Sequence, residues 1–321
     1  MSKPAALRLG ELTVTLLACL MPLSAAAAAP AAPAPLPWHA QWAQRADPRM
    51  ALHSVAMAAF PEPIRYLTFR VGPHPAPKPA RRMLVLLHGL GGDPLSWLDL
   101  GRIVERLDKA GKAAGLRGCL VVMPAGGDGY WADWVDGHHP YGTLVLRVVA
   151  DAARRYKMHP AAADVALVGV SMGGFGALSI GLLHPERFGF VAGLSATDLD
   201  IAVRKGPIRP VYRQVLGDPP RPAALKRVNP YQLVVAGRGR AEQRFLVSYG
   251  SREAAKFRQG GERLVAAMGA RKLRVVGQEV KGGRHGWSSS WAQAHPLWIK
   301  ELGQFWRPTA KAVGAPTPLQ R

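Results

Sequence analysis

Cysteine is nearly absent: the chain has two in 321 residues, Cys19 and Cys119. A disulfide framework is thereby excluded as what holds the fold, and a large hydrophobic core has to do so instead. Cys119 lies in the apolar run Cys119-Leu120-Val121-Val122-Met123, where a thiol reads as a small buried hydrophobe and not as a nucleophile. Acidic residues are also scarce, 21 against 42 basic ones, for a net charge of +21. That imbalance does not point to nucleic acid, because zinc-ligand spacing, an RNA-binding signature and a concentrated basic arm are all missing. Two explanations remain: the Arg- and Ala-rich usage of a GC-rich genome, and a cationic surface drawn electrostatically to an anionic envelope surface. There is no internal repeat, and no series of apolar runs that would make a multi-span membrane protein. No cofactor and no metal are expected. Asp136, His138 and His139 cluster, but a third or fourth ligand at workable spacing is lacking, so they read as a loop-surface pair.

What is present begins with the chain ends. Lys3 and Arg8 precede an apolar stretch from Leu12 to Leu23, and an alanine run leads to Pro30. This is the pattern of a secretory signal peptide over residues 1–29, and it predicts a periplasmic or secreted protein. A lipoprotein signal acylated at Cys19 is the alternative. Residues 30–60 read as a Pro/Ala-rich linker and N-terminal extension, 61–307 as one α/β domain, and 308–321 as a disordered tail.

Within the domain, short apolar runs alternate with helical periods. Strands are predicted at Ile64–Val71, Met83–Leu87, Cys119–Met123, Asp164–Val170, Phe190–Leu194, Arg244–Ser248 and Leu273–Val280. Helices are predicted at Ser96–Ala114, Tyr141–Tyr156, Met172–His184, Glu253–Met268 and Trp291–Phe305. This rhythm implies a mostly parallel central sheet with helices on both faces, and ligands at the carboxyl ends of the strands. Thr197 to Arg240 breaks the rhythm and reads as an irregular, partly helical, cap-like insertion.

One turn carries a chemical signature. Gly169-Val170-Ser171-Met172-Gly173 joins a strand to a helix, the setting of a nucleophile elbow. The serine has to sit on a strained turn, and the flanking glycines leave room for the neighbouring backbone. The helix that follows presents free N–H groups to any negative charge forming beside the serine.

Partner motifs stand in the right order. Leu87-His88-Gly89-Leu90-Gly91-Gly92-Asp93 follows a buried strand, so its backbone can turn an N–H into the pocket. We assign one oxyanion donor to the Leu90 amide, with Gly91 as the alternative, and the other to the Met172 amide. His88 reads as a structural support for this loop. His285, in Gly282-Gly283-Arg284-His285-Gly286-Trp287, follows the last strand on a loop able to bend, as a general base requires; His295, inside the next helix, is the weaker candidate. Glu253 stands at the end of a strand as the acid that orients the base, with Asp198 and Asp200 as rivals. Tyr130, Trp131 and Trp134 in the loop after Met123, together with Trp287, are candidate substrate-binding aromatics.

With these motifs assembled, the chain resembles the esterase D-type family of α/β-hydrolases, which includes S-formylglutathione hydrolases, feruloyl esterase domains and mycolyltransferase antigens. The likeness runs from Ile64 to Phe305. It rests on the His88 loop, MPAGGDGYWADW from Met123, GVSMGGFGA from Gly169, LHPERF from Leu183, LGDP and NPY between Leu216 and Tyr231, Gly250-x-x-Glu253 and GGRHGW from Gly282. The resemblance implies an α/β-hydrolase fold with Ser171 as nucleophile, Glu253 as acid, His285 as base, and Leu90 and Met172 as oxyanion donors. Many relatives have Asp where this chain has Glu253, and many carry Glu where this chain has Gly142. The activity implied is a serine carboxylesterase acting on a small-molecule or polymer-linked ester through an acyl-serine. An acyltransferase of the mycolyltransferase type is the alternative, and a catalytically inactive envelope-binding module the third reading.

Overall fold

Strands that are apolar from end to end need cover on both faces, and the fold supplies it. The computed structural model describes residues 37–307, apart from 44, 46, 77, 78, 112 and 113. The expected leader over 1–29 with Cys19, the first residues of the linker and the tail over 308–321 lie outside the described residues. Eight strands form one sheet: β1 (Met50–Val55), β2 (Ile64–Arg70), β3 (Met83–Leu87), β4 (Leu120–Pro124), β5 (Val165–Val170), β6 (Phe190–Leu194), β7 (Arg244–Gly250) and β8 (Arg274–Val280). Their order is β1-β2-β4-β3-β5-β6-β7-β8. β1 and β2 pair antiparallel, β2 pairs antiparallel with β4, and every later pairing is parallel. This is the α/β-hydrolase fold.

Eleven α-helices are described: α1 (Trp38–Ala43), α2 (Pro94–Asp99), α3 (Ile103–Gly111), α4 (Tyr141–Arg155), α5 (Met172–Leu183), α6 (Leu199–Lys205), α7 (Pro210–Leu216), α8 (Pro222–Val228), α9 (Pro230–Val235), α10 (Ala255–Ala270) and α11 (Ala292–Trp306). The pleat sends successive side chains to opposite faces. Met83, Val85 and Leu87 of β3 therefore pack with Leu144, Val148 and Phe175 from α4 and α5, while Leu84 and Leu86 pack with Leu107, Trp298 and Leu302 from α3 and α11. The stretch between β6 and β7 folds as the four short helices α6 to α9.

Three departures from the sequence pattern have physical reasons. β1 was not expected. Its residues, Met50-Ala51-Leu52-His53-Ser54-Val55, have modest β propensity, and the open edge of β2 organises them. The single helix expected over Ser96–Ala114 is two. Arg102 takes the left-handed conformation (φ 48°), and the Gly101 amide folds back onto the Ser96 carbonyl at 3.0 Å, so the chain changes direction between α2 and α3. α10 begins at Ala255 and not at Glu253, because Glu253 belongs to a tight turn in which its amide returns to the Gly250 carbonyl at 3.2 Å.

Candidate active site

The carboxyl ends of the parallel strands converge on one rim, and each strand delivers a different group to it. β5 runs straight into Ser171, which takes φ 56° and ψ −116°, a strained conformation for a residue with a side chain. The close approach that makes this turn possible is visible in its glycines. A Cβ on Gly169 would stand 2.0 Å from the Gly173 carbonyl oxygen, and one on Gly173 would stand 2.2 Å from that of Leu87. The Ser171 amide donates to the Leu194 carbonyl at 2.8 Å, tying the elbow to β6.

His285, on the loop after β8, places Nε2 2.9 Å from the Ser171 hydroxyl oxygen. Its Nδ1 lies 3.2 Å from Glu253 Oε1, at the turn after β7. The tautomer with hydrogen on Nδ1 satisfies both contacts, leaving Nε2 to accept the serine proton. The imidazole is held in a slot, stacked on Phe257 at 3.9 Å and met edge-on by Trp291 at 4.9 Å, yet 31% of its side-chain surface stays open.

Glu253 has a side chain with no exposed surface. Burial pushes its carboxyl up, but hydrogen bonds from His285, Ser195 and the Gly250 amide outweigh burial and hold it below the ordinary carboxylate range. Ser195 Oγ donates to Oε1 at 2.7 Å, Ser290 Oγ at 2.9 Å, and the Gly250 amide donates to Oε2 at 3.1 Å. Ser195 Oγ in turn accepts the Trp291 indole N–H at 3.0 Å. The rival acids are committed elsewhere. Asp198 caps α6 and pairs with Arg263, and Asp200 pairs with Arg204 and Arg263.

The loop after β3 is braced from below. His88 is fully buried, its Nδ1 donates to the Gly89 carbonyl at 2.9 Å, and its Nε2 accepts the Gly126 amide at 3.2 Å. Burial pushes this imidazole below its ordinary value, so the neutral form that makes both bonds is the favoured one. The Gly91 amide is engaged by Asp128 Oδ1 at 2.7 Å, which removes Gly91 from contention as an oxyanion donor. Among the described residues, neither the Leu90 amide nor the Met172 amide donates to a protein acceptor. Met172 opens α5, where an amide has no partner in its own helix.

The expected aromatics divide. Trp131 is 1% exposed and packs on His88 with its indole N–H on the His88 carbonyl, so it supports the loop. Tyr130 is also buried; its hydroxyl donates to Thr197 at 2.9 Å and its ring packs on Phe175. Trp134 bonds the Gly129 carbonyl and packs with His139 and Tyr141 on the outside of the loop. Trp287 wedges between Trp97 and Trp291, anchoring the His285 loop. His295 is buried in α11 with Nδ1 on the Trp291 carbonyl at 2.6 Å. His139 pairs with Asp136 on the surface.

Ser195, Ser290, Asp128 and Phe257 were not singled out in the sequence. Only Ser195 left a signal: it directly follows the apolar run of β6, the strand beside the elbow strand.

Comparisons with known proteins bear on the family and the fold. A family model described as "Putative esterase" matches residues 65–304. The MPT51/MPB51 antigen of Mycobacterium tuberculosis is 35% identical over 109 residues, 33% of this chain and 33% of the antigen. An acetyl esterase of Caldicellulosiruptor saccharolyticus is 29% identical over 116 residues, 36% of this chain and 41% of that protein. These alignments thus span less than half of either relative. Among solved structures, the fluorophosphonate-binding serine hydrolase FphF of Staphylococcus aureus superposes with a TM-score of 0.65 at 17% identity, over 79% of this chain and 98% of that one.

Proposed function

The chain belongs to the esterase family matched over residues 65–304, and from that premise we propose that it is an exported serine carboxylesterase in which Ser171, His285 and Glu253 form the catalytic triad. The observation that carries this reading is the continuous contact from Ser171 Oγ through both nitrogens of His285 to the buried Glu253 carboxylate. His285 Nε2 takes the Ser171 proton as Oγ attacks the ester carbonyl. Glu253, kept ionised by its hydrogen bonds, stabilises the imidazolium that results. The Leu90 and Met172 amides receive the oxyanion. Loss of one such donor costs about 10²–10³ in turnover. The alcohol departs with the proton from His285, and water, activated by the same imidazole, releases the acid from the acyl-serine.

Export rests on the residues before the fold: the basic start, the apolar Leu12 to Leu23 and the alanine run. The excess of basic residues supports electrostatic association with an anionic envelope surface. N-terminal sequencing of the mature protein reads the first, and salt-sensitive retention on anionic vesicles reads the second.

The catalytic test uses ester hydrolysis and fluorophosphonate labelling. Wild type is expected to hydrolyse short 4-nitrophenyl esters and to label at Ser171, and Ser171→Ala to lose both. Equal rates for the two proteins overturn the nucleophile assignment. Transfer to an added alcohol that exceeds hydrolysis would move the reading to an acyltransferase. Folded wild type that neither labels nor turns over would move it to a binding module.

A further inference from the structure

Lys256 is the second residue of α10, close behind Glu253, and it sits beside the candidate triad without a counter-ion. Its ammonium lies 5.0 Å from the centre of the Phe257 ring, and that ring stacks on His285 at 3.9 Å. The two separations, 5.0 and 3.9 Å, cap the distance from the ammonium to the imidazole at about 9 Å. Its ammonium also meets the Tyr212 hydroxyl at 3.4 Å, and that hydroxyl stands 3.4 Å from the hydroxyl of Tyr130, in the loop after β4. Lys256 thus stands between the histidine slot and the loop that follows β4.

The carboxylates that could neutralise it are committed. Glu253 accepts from four donors within its own pocket. Asp198 and Asp200 are ion-paired with Arg263, and Asp128 holds the Gly91 amide. Among the described residues no carboxylate forms an ion pair with Lys256. An unpaired ammonium in partly screened surroundings attracts an anion more strongly than one in bulk water does. The net charge of +21 adds a long-range field of the same sign.

We propose that Lys256 reads a negative charge on the substrate, so that the preferred esters carry a carboxylate or similar anionic group a few bonds from the scissile carbonyl. The proposal rests on the esterase reading and narrows it to a substrate class. Lys256 acts in binding: it touches no reacting atom and selects by charge.

The experiment compares two matched ester pairs. On the acyl side these are the 4-nitrophenyl monoester of glutaric acid and 4-nitrophenyl pentanoate; on the alcohol side, 3-carboxyphenyl acetate and phenyl acetate. Wild type is expected to favour the charged member of at least one pair by tenfold or more in kcat/KM, with the advantage shrinking as salt is added. Lys256→Met is expected to remove that advantage mainly through KM, Lys256→Arg to keep most of it, and Lys256→Glu to reverse it. A merely structural lysine, packing on Phe257 and Tyr212, would change both members of a pair alike. Hydrolysis of all four esters with no preference for charge, or an equal loss on both members in Lys256→Met, overturns the proposal and leaves the esterase reading standing. Wild type that hydrolyses none of the four overturns both.

Discussion

The Asp128 carboxylate accepts the Gly91 amide at 2.7 Å, so the loop after β4 holds the loop after β3 by its backbone. Gly91 itself takes φ 70°, and Asp128 fixes the amide of this unusual turn while leaving the neighbouring Leu90 amide unengaged.

Asp128→Ala is therefore expected to loosen the Leu90 donor without touching the triad. The expected result is a fall in kcat of about tenfold with KM little changed, short of the 10²–10³ that deleting a donor outright costs. Asp128→Asn keeps an acceptor oxygen and is expected to recover most of the rate. A change confined to KM would place Asp128 in substrate binding instead.

Ser195 makes a second prediction. It couples three groups: it gives its proton to Glu253 and accepts the Trp291 indole N–H, and the Trp291 ring meets His285 edge-on. Ser195→Ala leaves a buried indole N–H unbonded and takes one donor from the carboxylate, a cost of about 1–3 kcal/mol for the orphaned group alone. The rate of fluorophosphonate labelling at Ser171 should fall about five- to fiftyfold while the fold is retained by circular dichroism. An unchanged rate would show that His285 is positioned without this network.

A pair of glycines separates steric need from conformational habit. Gly173→Ala drives a Cβ to 2.2 Å from the Leu87 oxygen and 2.6 Å from the His88 oxygen, both backbone atoms that cannot swing aside. The expected outcome is insoluble or unfolded protein. Gly269, near the end of α10, has nothing within 4 Å of its would-be Cβ. Gly269→Ala should stabilise the protein by about 0.5–1 kcal/mol in thermal or urea unfolding, through helix propensity alone.

These two glycines also mark what the sequence made legible. The elbow, the His88 loop and the Gly-flanked His285 are local patterns in which the residue types needed for a tight turn appear side by side, and the structure brings Ser171, His285 and Glu253 into contact. What escaped the sequence depends on groups distant along the chain. Trp131 reads as a rim aromatic because its loop follows a buried strand, whereas its indole N–H is bonded to the His88 carbonyl, 43 residues away. Asp128 and Ser195 are ordinary loop residues until the fold sets them against Gly91 and Glu253. β1 exists because β2 offers it an edge, which no feature of Met50–Val55 announces.

His295 makes the protein lose stability in mild acid. It is 1% exposed in α11, and burial, aided by the charge of Arg106, pushes its imidazole down to about 4, against a weaker upward pull from its bond to the Trp291 carbonyl. Its Nε2 has no partner among the described residues, so protonation would place a charge where nothing receives it. The sign follows from linkage: below its ordinary value of 6.5 the unfolded chain binds a proton that the folded chain refuses. The stability held by the neutral ring is fully present above about pH 6.5 and is lost progressively as pH falls toward 4, about 3 kcal/mol across that window. His88 and His53, also pushed below their ordinary values by burial, add slope of the same sign. Urea unfolding at pH 7.5, 6, 5 and 4.5 should therefore show falling stability, and His295→Phe should flatten the curve while leaving the two histidines to supply the remainder. A variant whose curve runs parallel to wild type would place the acid sensitivity elsewhere.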